Sequence, residues 1–172
     1  MRSEITVGID PGLGGAIAWH DGIYHVTEMP VNRKIVTYKG KRKAVNEVDE
    51  TAIYNLLNLF KSKGDVECIV EHQQFRNEDL QGGKLFNLQK LVQNYKSILT
   101  ILKILEIKTD CIRAATWQKK YDLPVDYSLK KRKLVLIAKE KFARLKPTAK
   151  TADALLILSH KLILKSYESV KG

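Results

Sequence analysis

The hydrophobic positions in the first third of the chain fall into short runs that end at turn signals. Residues 5–9 form an apolar run that stops at Asp10-Pro11-Gly12, which is typical of a strand ending in a turn. Residues 14–20 and 24–29 predict two more strands, and the Asp21-Gly22 pair between them favours a tight hairpin. The chain therefore opens with three predicted strands.

The rest of the chain alternates between helical and strand periods. A helix is predicted from Asp49 or Glu50 to residues 63–65, followed by a fourth strand over residues 67–71. Apolar residues spaced by three and four predict a helix over residues 84–102. The other expectations are a fifth strand at 108–112, a short turn or helix at 116–120, a loop at 121–127, and helices at 128–145 and 151–167. Residues 32–46 and 75–83 show neither period and are predicted to be exposed loops.

This order of elements indicates an α/β fold with a mixed sheet. It matches the order of a ribonuclease H-like domain, and flavodoxin-like folds alternate in much the same way. The opening antiparallel hairpin favours the first of these. We therefore expect a ribonuclease H-like, mixed five-stranded sheet flanked by helices, with all 172 residues in a single domain.

Charge changes this picture because it is unevenly distributed. The chain has 30 Lys and Arg against 19 Asp and Glu, a net charge of +11. Residues 103–172 hold 17 cations and 7 acids, whereas residues 1–102 are almost neutral. Within the nearly neutral part, residues 32–46 contain no acid and six cations: Arg33, Lys34, Lys39, Lys41, Arg42 and Lys43. Such a field favours a polyanion, most simply nucleic acid, although a Lys-rich soluble surface is the alternative.

The cysteines and the apolar runs exclude several classes of protein. Cys68 and Cys111 are too few for a disulfide framework or a four-ligand zinc site, and they are predicted to be free core thiols. No apolar run approaches the roughly 18 residues of a membrane span. The N-terminal residues do not resemble a secretory signal, so we expect a reducing, cytoplasmic setting.

Three acids lie at the ends of predicted elements. Asp10 and Glu71 each end an apolar strand, and Asp153 lies in the first turn of the helix over 151–167. If the two strands are parallel neighbours, their carboxylates emerge at one edge of the sheet. Converging carboxylates repel each other unless a divalent cation neutralises them, and oxygen donors suit Mg²⁺ or Mn²⁺. Taken singly, they could be a turn residue, a solvated strand end and a helix N-terminal acid.

The segments around these acids resemble the three acidic motifs of the RuvC-type Holliday junction resolvases (crossover junction endodeoxyribonucleases), with the phage-encoded branch the most similar. They are VGIDPG at residues 7–12, VE at 70–71 and TADALL at 151–156, and the resemblance spans roughly residues 5–160. It implies a homodimeric, metal-dependent endonuclease that nicks two opposed strands of a four-way DNA junction. It also implies that Asp10, Glu71 and Asp153 are metal ligands.

One position departs from the family pattern. The family usually has an acid or a histidine three residues before the last aspartate, and this chain has Lys150. A protonated lysine cannot ligate a metal, though it could lie over the scissile phosphate. The resemblance implies two Mg²⁺ or Mn²⁺ ions, and Lys150 leaves the second without its usual ligand. His72 is the nearest alternative ligand, and a histidine after a strand end is more typical of an ordinary polar residue.

The resemblance also implies where the DNA is held. An aromatic in the loop after Glu71 would wedge into the junction, and the alternative is a phenylalanine packed on its own loop. The predicted DNA contacts are Phe75, Arg76, Lys119, Lys120, Lys130, Lys131, Arg132, Arg33, Lys34, Lys41, Arg42 and Lys43. Lys119 or Lys131 would stabilise the charge of the phosphorane. The opposite face of the 128–145 helix, with Val135, Ala138 and Phe142, should be core.

Two further expectations concern packing. The helix over residues 84–102 carries Phe86, Leu91 and Ile98 in addition to one core face, so it is either a buried central helix or the dimer interface. Trp117 is predicted to anchor the loop that presents Lys119.

The rival functions are a less selective ribonuclease H-like nuclease, acting on branched DNA or RNA–DNA hybrids, and a catalytically silent junction-binding protein.

Overall fold

The computed structural model describes residues 3–38, 40–73 and 85–169, with side chains for all of these except 38, 43, 85–88 and 169. The strands are β1 (Ser3–Asp10), β2 (Ala16–His20), β3 (Tyr24–Glu28), β4 (Val31–Tyr38), β5 (Lys41–Val48), β6 (Gly64–His72) and β7 (Lys108–Arg113). The α-helices are α1 (Glu50–Lys63), α2 (Leu85–Ile104), α3 (Ala114–Gln118), α4 (Tyr127–Lys141) and α5 (Ala152–Ser169), and a 3-10 turn follows α4 (Ala143–Leu145).

Five of the strands form one mixed sheet in the order β3-β2-β1-β6-β7. β1, β2 and β3 pair antiparallel, whereas β1, β6 and β7 run parallel. The predicted α/β class with a mixed five-stranded sheet is confirmed. Ile9 pairs with Val70 in the parallel ladder, so the residues that follow them, Asp10 and Glu71, lie side by side at the carboxyl edge.

Helices cover both faces of this sheet, and the alternation of side chains along each strand divides the core in two. Ile9 and Val70 pack into the cluster that includes residues of α1 and α2. Ile69, one position before Val70, packs with α4 and α5 on the other face. A β-carbon added at Gly8 would lie 2.7 Å from the backbone nitrogen of Leu158. The glycine therefore lets α5 approach β1 closely, which brings the first turn of α5 to the carboxyl edge.

The prediction of a loop over residues 32–46 is wrong, because residues 31–38 and 41–48 form an antiparallel hairpin, β4 and β5. The two strands pair with each other in a separate two-stranded sheet, from Val31 opposite Val48 to Tyr38 opposite Lys41. Gly40 supplies the positive φ of the turn. Most of the hairpin's described side chains are exposed on both faces, so the ribbon lacks the alternation of apolar and polar residues that marks a half-buried strand.

Several smaller predictions also need correction. Ile98 is fully buried and belongs to the core face of α2 instead of adding a second apolar face, and the side chain of Phe86 lies outside the described residues. Cys68 is a buried free thiol as predicted, but Cys111 is exposed because β7 is an edge strand. None of the helices in the described ranges is long and apolar enough to cross a membrane.

The helix predicted over residues 128–145 is two elements, α4 and the 3-10 turn that follows it. Ala138 and Phe142 are buried as predicted, whereas Val135 is only half-buried. Leu134 takes the core position beside Ala138 instead. Because Leu134, one residue earlier, takes the core position, the flank of α4 that carries Val135 faces a surface groove.

Candidate active site

The carboxyl edge of the sheet brings the three predicted acids together. Asp10 ends β1, Glu71 is the penultimate residue of β6, and Asp153 is the second residue of α5. The charges of Asp10 and Asp153 each act on the pKa of Glu71, and that of Asp153 also acts on Asp10. The acids that the motifs single out therefore form one electrostatically coupled cluster.

Each acid has a specific hydrogen-bond donor. The backbone N–H of Gly12 donates to Asp10 Oδ1 at 3.3 Å, and the indole N–H of Trp117 donates to Glu71 Oε1 at 3.1 Å. The ammonium of Lys131 donates to Asp153 Oδ2 at 2.5 Å. Trp117 is fully buried, so its position supports the prediction of a structural role and adds a function that the sequence did not suggest. A buried tryptophan ordinarily finds a partner for its N–H, but only the fold shows which one.

Burial and mutual repulsion perturb two of the acids. Burial, reinforced by the charge of Asp153, raises the pKa of Asp10 from 3.8 to about 6. Burial, reinforced first by the charge of Asp10, raises the pKa of Glu71 from 4.5 to about 7. The hydrogen bond from Trp117 and the charge of Lys131 act in the opposite direction on Glu71 without cancelling the rise. When all three acids are ionised, they thus carry more negative charge than their surroundings stabilise.

The residues present suit a hard divalent cation in their chemistry. All the donors are carboxylate oxygens, and Asp153 Oδ1 is buried with no hydrogen-bond partner. Within the described ranges, however, no three side chains of the metal-ligating types converge closely enough to form a ligand set as they stand. The ammonium of Lys131 takes one oxygen of Asp153 and partly replaces the counter-charge that a cation would supply. The metal ligands therefore remain a prediction.

Of the predicted cations in the described part of the chain, Lys131 alone contacts one of the three acids. Lys119 is exposed just after α3, and the ammonium of Lys120 lies over the Tyr121 ring, 5.1 Å from its centroid. Burial, followed by the charge of Lys141, lowers the pKa of Lys120. Lys130 and Arg132 lie with Lys131 on α4, so this helix carries a continuous basic segment at the edge of the cluster.

Lys150 does not enter the acid cluster. Its ammonium lies 2.6 Å from Glu28 Oε2, and both side chains are about half exposed. Glu28 ends β3, which is separated from β1 by β2 in the sheet. His72 is exposed and packs its ring edge-on against Tyr95, with the ring centroids 5.7 Å apart.

The basic hairpin leaves the sheet from the same edge. β3 ends there, and the Asp49 N–H donates to the Pro30 carbonyl at 2.8 Å, closing the base of the hairpin. Arg33, Lys34, Lys41 and Arg42 are exposed along it, and Lys34 pairs with Glu47 at 2.6 Å. Among the remaining predicted contacts, Phe75 and Arg76 lie outside the described residues, as does the side chain of Lys43.

Comparisons with known proteins identify the fold. No family model matches the sequence, and no curated protein matches it. The chain is similar to a Thermus thermophilus RuvC solved in complex with Holliday junction substrate, at 13% identity over 96% of each chain and a TM-score of 0.56. It is also similar to a second T. thermophilus RuvC structure, at 19% identity over 94% of this chain and 96% of that chain, with a TM-score of 0.51. The protein therefore has a RuvC-type, ribonuclease H-like fold.

Proposed function

We propose that this protein is a metal-dependent endonuclease that resolves four-way DNA junctions by paired, symmetric nicks. The observation that carries the proposal is the buried cluster of Asp10, Glu71 and Asp153 at the carboxyl edge of a RuvC-type sheet. Its unbalanced negative charge suits a divalent cation, and the basic surfaces beside it suit a polyanion. The similarity to a RuvC bound to Holliday junction substrate supports the choice of substrate.

In this proposal Asp10, Glu71 and Asp153 hold Mg²⁺ or Mn²⁺, which would activate a water and stabilise the leaving oxygen of a phosphodiester. Lys131 has three N–H donors, and only one is needed for Asp153. The others can donate to a phosphate oxygen and stabilise the charge that develops as water attacks phosphorus. Trp117 holds the Glu71 carboxylate in a fixed orientation through its N–H.

The hairpin and α4 would hold the DNA through its phosphates. Each strand of the hairpin has eight residues and, at about 3.3 Å per residue, is roughly 26 Å long, which matches about seven to eight base pairs of a duplex arm. The exposed cations of the hairpin can follow the phosphates over that distance. Such contacts supply affinity and position, whereas they carry no sequence information.

A homodimer through α2 belongs to the same proposal. The outer face of α2 includes Gln93, Lys96, Thr100 and the exposed Ile104, and with Glu50 of α1 it lines an open groove of about 630 Å³. A second copy of the chain would cover this face. Two-fold symmetry would then present two acid clusters to the two equivalent strands of a four-way junction.

A catalytically silent junction-binding protein is the second candidate. It is favoured by the contact of Lys131 with Asp153, which removes one carboxylate oxygen from any metal, and by Lys150 at a position where the resembling family has a ligand. In that case the same basic surfaces bind DNA while the cluster does no chemistry.

Nicking assays with Mg²⁺ on a synthetic four-way junction, a linear duplex and an RNA–DNA hybrid separate these functions. We expect paired nicks in the junction alone, loss of nicking in Asp10→Asn, and unchanged junction binding by that variant. Asp122→Asn, a change at a fully exposed aspartate, is the matched control and should nick normally. Equal cleavage of linear duplex or hybrid would favour a less selective nuclease, and tight binding without nicks would favour the silent protein.

A further inference from the structure

An open groove of about 590 Å³ runs along α4 beside the acid cluster. Its walls include Tyr127, Lys131, Arg132, Val135, Leu136 and Ala149. The α4 residues recur at helical spacing on one flank of the helix, and Ala149 belongs to the segment that leads into α5. The groove therefore lies between α4 and the segment that leads into α5 at the carboxyl edge of the sheet.

The groove combines exposed apolar side chains with positive charge. Tyr127 is 81% exposed and Leu136 is 65% exposed, although both are large apolar residues. Around them, α4 carries six Lys and Arg residues and a single acid, Glu140. A ligand that suits both features has a flat, weakly polar ring joined to an anionic group. A nucleotide has both, since aromatic side chains stack on bases and cations hold phosphates.

Lys131 connects this groove to the acid cluster. It lines the groove and also donates to Asp153 Oδ2 at 2.5 Å. A phosphate placed at the Lys131 ammonium for cleavage therefore has its neighbouring nucleotide within reach of the first turn of α4. Tyr127 lies one helical turn before Lys131, on the same flank of the helix.

We propose that this groove binds the base of a nucleotide next to the scissile phosphate, unstacked from its neighbours and stacked on Tyr127. The inference rests on the proposed function, since it requires a phosphodiester to be held at Lys131 and Asp153. A second copy of this basic chain would fit the groove less well, because α4 carries six cations and one acid, whereas the α2 face proposed for the dimer is lined by one acid and one cation, Glu50 and Lys96. Because stacking on an aromatic ring accepts any base, the groove would make cleavage depend on the presence of that base.

A cycle of protein and DNA changes tests the proposal. Junction nicking is measured for the wild type and for Tyr127→Ala, each on junctions that carry an abasic site at one of the two nucleotides flanking the scissile phosphate. We expect the protein change and one of the two abasic sites each to slow nicking about tenfold, and the two together to slow it no further. Tyr127→Phe, which keeps an aromatic ring for stacking, should still be slowed further by that abasic site, unlike Tyr127→Ala.

Tyr167→Ala, at an exposed tyrosine near the far end of α5, is the matched control and should show no coupling to either abasic site. If the slowing of nicking by Tyr127→Ala multiplied with the slowing by each abasic site, the proposal would be overturned. An unchanged nicking rate in Tyr127→Ala would overturn it as well. A change in oligomeric mass in Tyr127→Ala without that coupling would also overturn it and assign the groove to a second copy. If the wild type nicks no unmodified junction, the proposed function itself fails, which is a distinct result.

Discussion

The ammonium nitrogen of Lys131 lies 2.5 Å from Oδ2 of Asp153, while Oδ1 of the same carboxylate is buried with no hydrogen-bond partner. The two residues come from different helices, α4 and α5, and both side chains are largely shielded from solvent. Asp153 is therefore held by one oxygen and retains the other for a ligand. Lys131 in turn neutralises part of the cluster and retains donors for a phosphate.

Replacing Lys131 tests both parts of this relationship. Lys131→Ala should lower the nicking rate about 100-fold, because it removes a donor aimed at charge that develops in the transition state. It should also lower the Mg²⁺ concentration needed for half-maximal activity, since the ammonium no longer competes for Asp153. Lys130→Ala is the control on the same helix, and it should weaken junction binding without slowing the nicking of bound junction. An unchanged rate in Lys131→Ala would remove Lys131 from the site.

Lys150 should matter little for catalysis, because its ammonium pairs with Glu28 at the end of β3 and stays outside the cluster. An exposed pair of this kind contributes about 0–1 kcal/mol to stability. We expect Lys150→Gln and Glu28→Gln each to nick within about threefold of the wild type, with equally small changes in the melting temperature. Lys150→Asp supplies the opposite test. A large gain of nicking in that variant would support the silent junction-binding protein.

Stability should fall with rising pH in the absence of divalent ions. The folded-state pKa values of Asp10 and Glu71 are raised to about 6 and about 7, so these acids contribute most to stability while protonated, below about pH 4. That contribution is lost progressively as the pH rises from about 4 to about 6 for Asp10 and to about 7 for Glu71. For Asp10 it is on the order of 3 kcal/mol in the free energy of unfolding.

Urea unfolding in EDTA, between pH 4 and pH 8, measures this effect. Asp10→Asn should lose less stability over that range than the wild type, whereas Asp122→Asn should follow the wild type. Mg²⁺ should recover part of the wild-type loss at pH 8, because a bound cation stabilises the ionised acids. Parallel curves for the wild type and Asp10→Asn would show that Asp10 titrates at its ordinary value.

The hairpin should contribute to DNA affinity through phosphate contacts. Each lost contact with duplex DNA reduces the slope of log affinity against log salt by about 0.9. Arg33→Gln/Arg42→Gln should therefore reduce that slope by about 1.8 if both side chains contact phosphates. Lys63→Gln/Lys103→Gln removes two exposed lysines near the ends of α1 and α2, away from the hairpin, and should leave the slope nearly unchanged. Equal slopes for the two double variants would show that the hairpin is a solvated surface.

Local patterns in the chain were sufficient for the class of fold and for the three acids. Apolar runs that end in an acid, as at Asp10 and Glu71, combine strand propensity with a turn or an edge, and both signals lie within a few residues. The hairpin of β4 and β5 was missed because it lacks such a local signal. Most of its described side chains are exposed on both faces, so it has no buried side to impose an alternating pattern on residues 32–46.

The sequence by itself determined an α/β protein with a mixed sheet, acids at the ends of β1, β6 and the start of α5, and an excess of positive charge around them. Only the tertiary structure decided how the lysines are used. Lys131 meets Asp153 because α4 packs beside α5, and Lys150 turns to Glu28, a residue 122 positions away in the chain. Such partners depend on how helices pack on the sheet. The periodic pattern of apolar residues does not indicate which residues far apart in the chain come into contact.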